Sequence, residues 1–348
     1  MPATHGAEGR VARILVWGAG AIGGTVGAVL ARAGHDITFV DIEADHVAAI
    51  RDPARGLHIT GPVAALTVTA PAFVPEALSG TWEQVYLCVK AQHTEAAARA
   101  LAPHLADGGY VVSLQNGLCE DLIAGIVGRE RTIGAFINFG ADWLGAGKVL
   151  FANRGAFVIG ELDGRISARL TALLAVLQGF ESDAIVTDRI ASYLWGKLGY
   201  GSFLFAQALG QLGIADCLAR PELLPLWCKL GREVNAVAAA IGVVPIGFNG
   251  YDPAAFGAGG SEAAARRSVD AMVAFNRPNA KTHSGVWRDL AIRKRRTEVD
   301  VQIRPIAEIG AAHGLACPTV QKLVDMIHEV EDGARAQSDD NLVALMRE

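Results

Sequence analysis

The chain has 348 residues, 51% of them hydrophobic, and a formal net charge of −5 at pH 7. That length suits two domains better than one, and that apolar content excludes global disorder. The negative balance gives no general attraction to nucleic acid or to an acidic membrane surface, so neither is an expected partner.

The first ten residues carry no apolar signal-peptide core, and no segment reads as a membrane span. The five cysteines, at positions 88, 119, 217, 228 and 317, form no CxxC pair, and the nine histidines are dispersed. A reducing, cytoplasmic setting without a metal site is the expectation.

The first predicted unit runs over residues 13–41. An apolar strand, 14–17, meets Gly18, Gly20 and Gly23, and a helix rich in alanine and valine follows. A second apolar strand, 37–40, stops at Asp41. Strand, glycine turn, helix, strand and acid in that order is the pattern of the first half of a dinucleotide-binding fold. Gly18 permits a tight turn, Gly20 a close approach of backbone to a pyrophosphate, and Gly23 close packing of helix on sheet. The cofactor stretch therefore comprises Gly18, Ala19, Gly20, Ala21, Ile22 and Gly23, where the helix N-terminus offers its amides to phosphate. Asp41 is placed to accept hydrogen bonds from an adenosine ribose and to repel a 2′-phosphate. NAD is thus the expected cofactor, with NADP left open; Glu43 and Asp45 add no positive charge for an extra phosphate.

Beyond Asp41 the pattern predicts a helix over 43–50 and short extended pieces at 57–59 and 65–69. A buried strand over 84–89 ends at Lys90, a helix spans 93–105, and a strand over 110–114 is stopped by Gln115, Asn116 and Gly117. Strands follow at 132–136, 149–151 and 156–159, then a helix over 166–177 and a last strand at 184–186. From about residue 188 the texture becomes helical: 190–212, 223–240, 261–274, 286–293, 299–312 and 319–330. The fold class is α/β, a Rossmann-type domain over 11–187 followed by an all-helical substrate and catalytic domain over 188–335. The glycines at 196, 199, 201 and 210 in the long apolar helix mark close packing or the approach of a ligand.

Lys90 and Asn116 each follow a strand of the parallel sheet, so both are expected at the edge that holds the cofactor. Lys197 lies in an otherwise apolar helix, where an isolated charge is costly, and it is a candidate proton donor. Glu298 begins a helix after Thr297, which is placed to cap it, and its carboxylate could hold a lysine or a substrate hydroxyl. The basic run over 293–296 reads as a solvated helix end, with attraction of an anionic substrate as a secondary role.

Taken together, the glycine loop, LCVKAQHT at 87–94, SLQNG at 113–117, WGKL at 195–198 and RRTEVD at 295–300 resemble the ketopantoate reductase family, the 2-dehydropantoate 2-reductases. The resemblance covers nearly the whole chain after the first ten residues. It implies an NADPH- or NAD-using reductase of 2-keto acids in which Lys197 is the general acid, Glu298 orients substrate, and Lys90 and Asn116 line the cleft. Ser284 falls where the family supplies a serine to the substrate.

Three positions depart from the family pattern: asparagines are expected one and two turns after the lysine, where Gly201 and Phe205 stand, and Asp41 replaces the basic or small residue of NADPH-preferring members. Losing those partners puts ketopantoate itself in doubt as the substrate. His283 and Ser284, in a loop before a helix, are candidates for the replacement contacts. The expected partner is a small-molecule keto acid or alcohol, and a homodimer is left open. Three rivals stand beside this reading. One is an opine- or amino-acid-forming dehydrogenase with His283 as acid and base. Another is an aromatic-alcohol dehydrogenase, suggested by Phe205, Trp195 and Trp287. The third is a non-catalytic NAD-responsive binding protein.

Overall fold

In the computed structural model, residues 11–279 and 282–347 are described. The polar first ten residues, and Ala280 and Lys281 in the stretch leading to His283, lie outside them. The chain divides into two compact units, 1–190 and 191–348.

The first unit is built on an eight-stranded sheet. Its strands are β1 (Arg13–Trp17), β2 (Asp36–Val40), β5 (Ala72–Phe73), β6 (Trp82–Leu87), β7 (Leu105–Ser113), β8 (Thr132–Ile137), β11 (Phe157–Glu161) and β12 (Ile185–Val186). The order across the sheet is β12-β11-β8-β7-β6-β1-β2-β5. From β5 to β8 every neighbouring pair is parallel, and these six strands follow the doubly wound order. The direction of winding reverses on either side of β1, so the turn after β1 opens into the crevice where such sheets bind ligands. β11 departs from the expectation of a parallel sheet by pairing antiparallel to β8.

A second sheet, ordered β4-β3-β10-β9, is made of β3 (Leu57–Thr60), β4 (Leu66–Val68), β9 (Gly140–Gly145) and β10 (Lys148–Asn153). Helix α1 (Ala21–Arg32) has Gly23 to Ala28 and Leu30 all buried. Val26 and Leu30 share one apolar cluster with Val16 and Phe39 of the large sheet and with Ile59, Val149 and Phe151 of the small one. A helix buried on both faces has no solvated stripe, which is why its sequence is small and apolar all round. A Cβ at Gly27 would strike the Phe39 ring; one at Gly23 would strike the Gly18 carbonyl and lie 2.8 Å from Val16.

The remaining helices of this unit are α2 (Ala44–Arg51), α3 (Thr94–Leu101), α4 (Glu120–Val127) and α5 (Ala168–Leu177). Helix α3 is shorter than its periodicity predicts. Pro103 sits in the 3-10 turn Ala102–His104, after which the chain extends into β7. Periodicity also passes over α4 and β9, which at 8 and 6 residues are too short to show either period clearly.

The second unit contains α6 (Ile190–Gln207), α7 (Ile214–Leu218), α8 (Leu224–Ala240), α9 (Glu262–Asn276), α10 (Gly285–Ala291), α11 (Val299–Gln302), α12 (Arg304–Ala312), α13 (Pro318–Glu331) and α14 (Asp340–Met346). Its core includes Phe203, Trp227, Tyr251 and Phe256, with ring centroids 5.1 to 5.6 Å apart in four contacts. Two predicted helices differ. The long one stops at Gln207, where Asp339 accepts from the amides of Gln211 and Leu212 and turns the chain away. The one predicted over 299–312 is two helices, because Pro305 in the first turn of α12 supplies no amide to the turn before it.

Overpacking at the turn after β1 has a measurable cost. Gly23→Ala is expected to lose about 1–3 kcal/mol in urea unfolding, because the rigid Gly18 carbonyl must move. Gly20→Ala should lose less, since a Cβ there meets no protein atom within 4 Å.

Candidate functional site

In the first unit the crevice edge is formed by the turns that leave β1, β2, β6 and β7. Gly18 has φ +95°, and its amide donates to the Val40 carbonyl at 2.7 Å. A side chain at that φ would be strained, so glycine is required for the turn itself. Gly23 is required by packing, as described above. Gly20 answers to neither demand, and the room beside it is the room a phosphate would need. The three glycines thus have the three separate reasons that a dinucleotide cradle calls for, and Gly20, Ala21 and Ile22 at the start of α1 are all partly accessible.

Asp41 follows β2 and is half-buried. Its Oδ2 accepts from the Ala19 amide at 2.8 Å, and its Oδ1 accepts from the Glu43 amide at 3.0 Å. The acid therefore braces the glycine turn, and each oxygen keeps further acceptor capacity. Lys90 follows β6 and Asn116 follows β7, and the two turns are tied together. The buried Gln115 donates to the Val89 carbonyl at 2.9 Å and to Thr94 Oγ1 at 2.8 Å. Asn116 is exposed and Lys90 half-buried on this edge. Gln115 escaped the sequence reading because it sits between two more conspicuous residues; its place in SLQNG was the available signal.

The second unit carries Lys197, Gly201 and Phe205 at four-residue spacing on α6, hence along one face. Lys197 is half-buried. The glycines of α6 separate into two kinds. Gly196 and Gly199 are packed against the Ile246 backbone and the Tyr251 hydroxyl, whereas a Cβ on Gly201 would meet nothing within 4 Å among the described residues. Close packing explains the first two, and accessible space remains beside the third. Phe205 is 2% exposed and belongs to the core of the unit. Trp195 is also buried, and Trp287 donates its Nε1–H to the Gly210 carbonyl at 3.1 Å. Trp195 and Phe205 fill the core of the unit, whereas Trp287 is half-buried.

The His283 ring lies 3.9 Å from that of Trp287 and tilted by 37°, its Nε2 lies 3.1 Å from the Gln211 carbonyl, and its Nδ1 lies 2.9 Å from Thr282 Oγ1. Both ring nitrogens are occupied, an arrangement that holds the loop down. Ser284 is 5% exposed and caps α10, its Oγ accepting from the Trp287 amide at 3.1 Å.

Glu298 is the N-cap residue of α11 and is half-buried. It stands in a pinned turn. Glu331, with a side chain 1% exposed, accepts from both the amide and the hydroxyl of Thr297 at 2.7 Å. Two residues on, Asp300 accepts from Arg304 at 2.7 Å and lies 2.9 Å from His328, which also lies 2.8 Å from Glu331. The basic run is not an open patch. Arg293 and Arg295 both pair with the buried Asp289, and Arg296 pairs with Glu331 and Asp332. All four residues of the run are exposed, as a solvated helix end is, while its arginines are paired locally. Burial pushes the thiols of Cys217 and Cys317 up to about 12 and about 11, so neither is a ready nucleophile at neutral pH.

Burial lowers the His328 pKa, but its hydrogen bonds to Asp300 and Glu331 outweigh that and leave it raised. A raised imidazole stabilises the fold fully below its unfolded pKa of about 6.5 and loses that contribution as pH rises through the folded value. The thermal midpoint is therefore expected to fall from about pH 6.5 upward, and His328→Gln should flatten that slope.

Comparison with known proteins gives the family. The family model for ketopantoate reductase PanE/ApbA matches residues 14–164, and the model for its C-terminal part matches 189–331. A 2-dehydropantoate 2-reductase of Archaeoglobus fulgidus is 30% identical over 325 residues, covering 93% of this chain and 99% of that protein. A second, from Halobacterium salinarum, is 27% identical over 90% of this chain and 97% of its own. Among solved structures, the PanE/ApbA family ketopantoate reductase of Ralstonia eutropha JMP134 superposes with a TM-score of 0.77 at 26% identity, covering 92% of this chain and 99% of that one. D-mandelate dehydrogenase with NADH and anilino(oxo)acetate shares the fold, with a TM-score of 0.80 at 20% identity over 92% and 99% of the two chains.

Proposed function

The chain belongs to the ketopantoate reductase family of NAD(P)-dependent oxidoreductases, and from that premise we propose reversible hydride transfer to a 2-keto acid, with NAD as the preferred cofactor and Lys197 as the general acid. The observation that carries the reading is Gly20, a glycine that neither backbone strain nor protein packing demands, set at the start of α1 beside the acid after β2. Gly18 to Gly23 would hold the pyrophosphate and Asp41 the ribose, with Lys90 and Asn116 flanking them.

A nicotinamide, when bound, supplies or takes the hydride. The rest of the chemistry belongs to the chain. In reduction, the Lys197 ammonium gives its proton to the developing alkoxide oxygen, and its charge stabilises that oxygen as it forms. Glu298 holds the lysine or the substrate hydroxyl, and the Thr297–Glu331 hydrogen bonds keep its backbone from drifting. Ser284 and the space beside Gly201 contact the substrate; Gly201 offers no side-chain hydrogen bond, which favours a 2-keto acid with an apolar substituent there over ketopantoate. With both ring nitrogens of His283 engaged, an opine-type reaction run by that imidazole has less support. We place the enzyme in the cytoplasm, its partner a small keto or hydroxy acid.

Purified protein should oxidise NADH in the presence of at least one member of a 2-keto acid panel. Lys197→Ala should retain NADH binding while turnover falls by about two orders of magnitude or more. Equal loss of binding and rate would remove Lys197 from the chemistry, and no NADH oxidation across the panel would favour a binding protein.

Cofactor choice is tested separately. Asp41 is followed by Ile42, Glu43, Ala44 and Asp45, none of them basic. The KM for NADH should lie below that for NADPH, and Asp41→Asn should narrow the gap by easing repulsion of the 2′-phosphate. A lower KM for NADPH in the unaltered enzyme overturns the preference.

A further inference from the structure

We propose that His46, on α2, is a positioning residue that aims the Gly20 amide into the pyrophosphate cradle. His46 is 1% exposed, although it lies in the first turn of a helix whose flanking residues Ala44, Asp45 and Ala48 are exposed. Its Nε2 lies 2.8 Å from the Ala19 carbonyl, and its Nδ1 lies 2.8 Å from the Gly147 amide. The tautomer follows from the partners. A carbonyl only accepts and an amide only donates, so the hydrogen is on Nε2 and Nδ1 is bare.

The Ala19 carbonyl belongs to the peptide whose amide is that of Gly20. A trans peptide is planar and directs its N–H opposite to its C=O, and no cis bond occurs among the described residues. Fixing the carbonyl toward His46 therefore fixes the Gly20 N–H in the opposite direction, away from the ring. Asp41 holds the preceding peptide through the Ala19 amide at 2.8 Å. Two side chains thus hold two successive peptides of the glycine turn, one by accepting and one by donating.

His46 itself is held from the second sheet. Gly147 lies in the hairpin between β9 and β10, with φ +72° and its carbonyl accepting from the His58 amide at 2.8 Å. A Cβ at Gly147 would come within 2.8 Å of Ala49, so only glycine lets the hairpin approach α2 closely enough to reach the imidazole. Trp143 of β9 sits edge-on to the ring at 6.3 Å. This is a role for the second sheet beyond covering α1: it sets the tautomer and place of the side chain that orients the phosphate-binding turn.

The inference rests on the glycine turn being the pyrophosphate site, and the experiment separates the two. Calorimetric titrations of the full chain with ADP, adenosine and NADH compare four substitutions. His46→Phe keeps a ring but neither polar contact. His46→Gln keeps a donor for the Ala19 carbonyl, and His46→Asn keeps only an acceptor toward Gly147. The effect of one neutral hydrogen bond, a loss of up to about tenfold, is expected in the affinity of H46F for ADP and NADH. Adenosine affinity and kcat at saturating NADH should not change. H46N should behave as H46F, and H46Q should bind ADP like the unaltered enzyme. If H46F does not fold, H46N carries the same comparison. A folded variant that binds ADP normally, a parallel loss of ADP and adenosine, or an H46Q as weak as H46F overturns the assignment. Gly20→Val is the control. If it abolishes ADP binding while the His46 variants do not, only the histidine's role falls; if ADP binding survives it, the cradle itself is misplaced.

Discussion

Burial of α1 on both of its faces is the constraint from which the first unit follows. One face meets Val16 and Phe39 of the large sheet, the other Ile59, Val149 and Phe151 of the small one. A helix in that position can carry only small or tightly fitted side chains, and the segment from Ala21 to Arg32 supplies three glycines and three alanines in twelve residues. Its N-terminus is consequently fixed relative to the strands at the crevice edge. A helix free to tilt would carry its amide groups with it; one wedged between two sheets presents them at a constant place, which is what an anion site built from backbone requires.

Much of this was legible in the residues. Glycine spacing, the two flanking apolar runs and the terminal acid named the dinucleotide pattern because each is dictated by local geometry: a positive φ at Gly18, a backbone contact at Gly23, open space at Gly20. The role of Asp41 was legible only in half. Its position after β2 could be read from the pattern, but its grip on the Ala19 amide depends on how a turn 22 residues earlier folds back. His46 was invisible for the same reason, since its two partners are 27 and 101 positions away. Helix ends were misjudged where a single residue overrode the period, Pro103 and Pro305 by withholding an amide and Asp339 by capturing two from a distant turn.

In the second unit, charge read along the chain gives exposure but not pairing. Four consecutive basic residues, 293–296, are exposed as a solvated helix end should be, and three of them are matched by acids whose side chains, Asp289 and Glu331, are buried. Buried carboxylates need such partners, so the arginines are there for the acids more than for solvent or substrate. The result is a stiff turn around Glu298, with Thr297 held on one side and Asp300 on the other. An aromatic side chain in a sequence does not say whether it faces a ligand or fills the core, and Trp195 and Phe205 fill the core.

The two outermost strands of the large sheet, β5 and β12, are each two residues long. Between them lie six longer, mostly buried apolar strands that would make an efficient template for a foreign chain if either flank were left bare. Each flank instead offers only a stub of backbone, too short to recruit a further strand. The small sheet blunts its β9 border differently, with glycine at each end and two register shifts against β10. An enzyme that is half hydrophobic by composition thus carries, in its shortest elements, protection against polymerising through its own sheets.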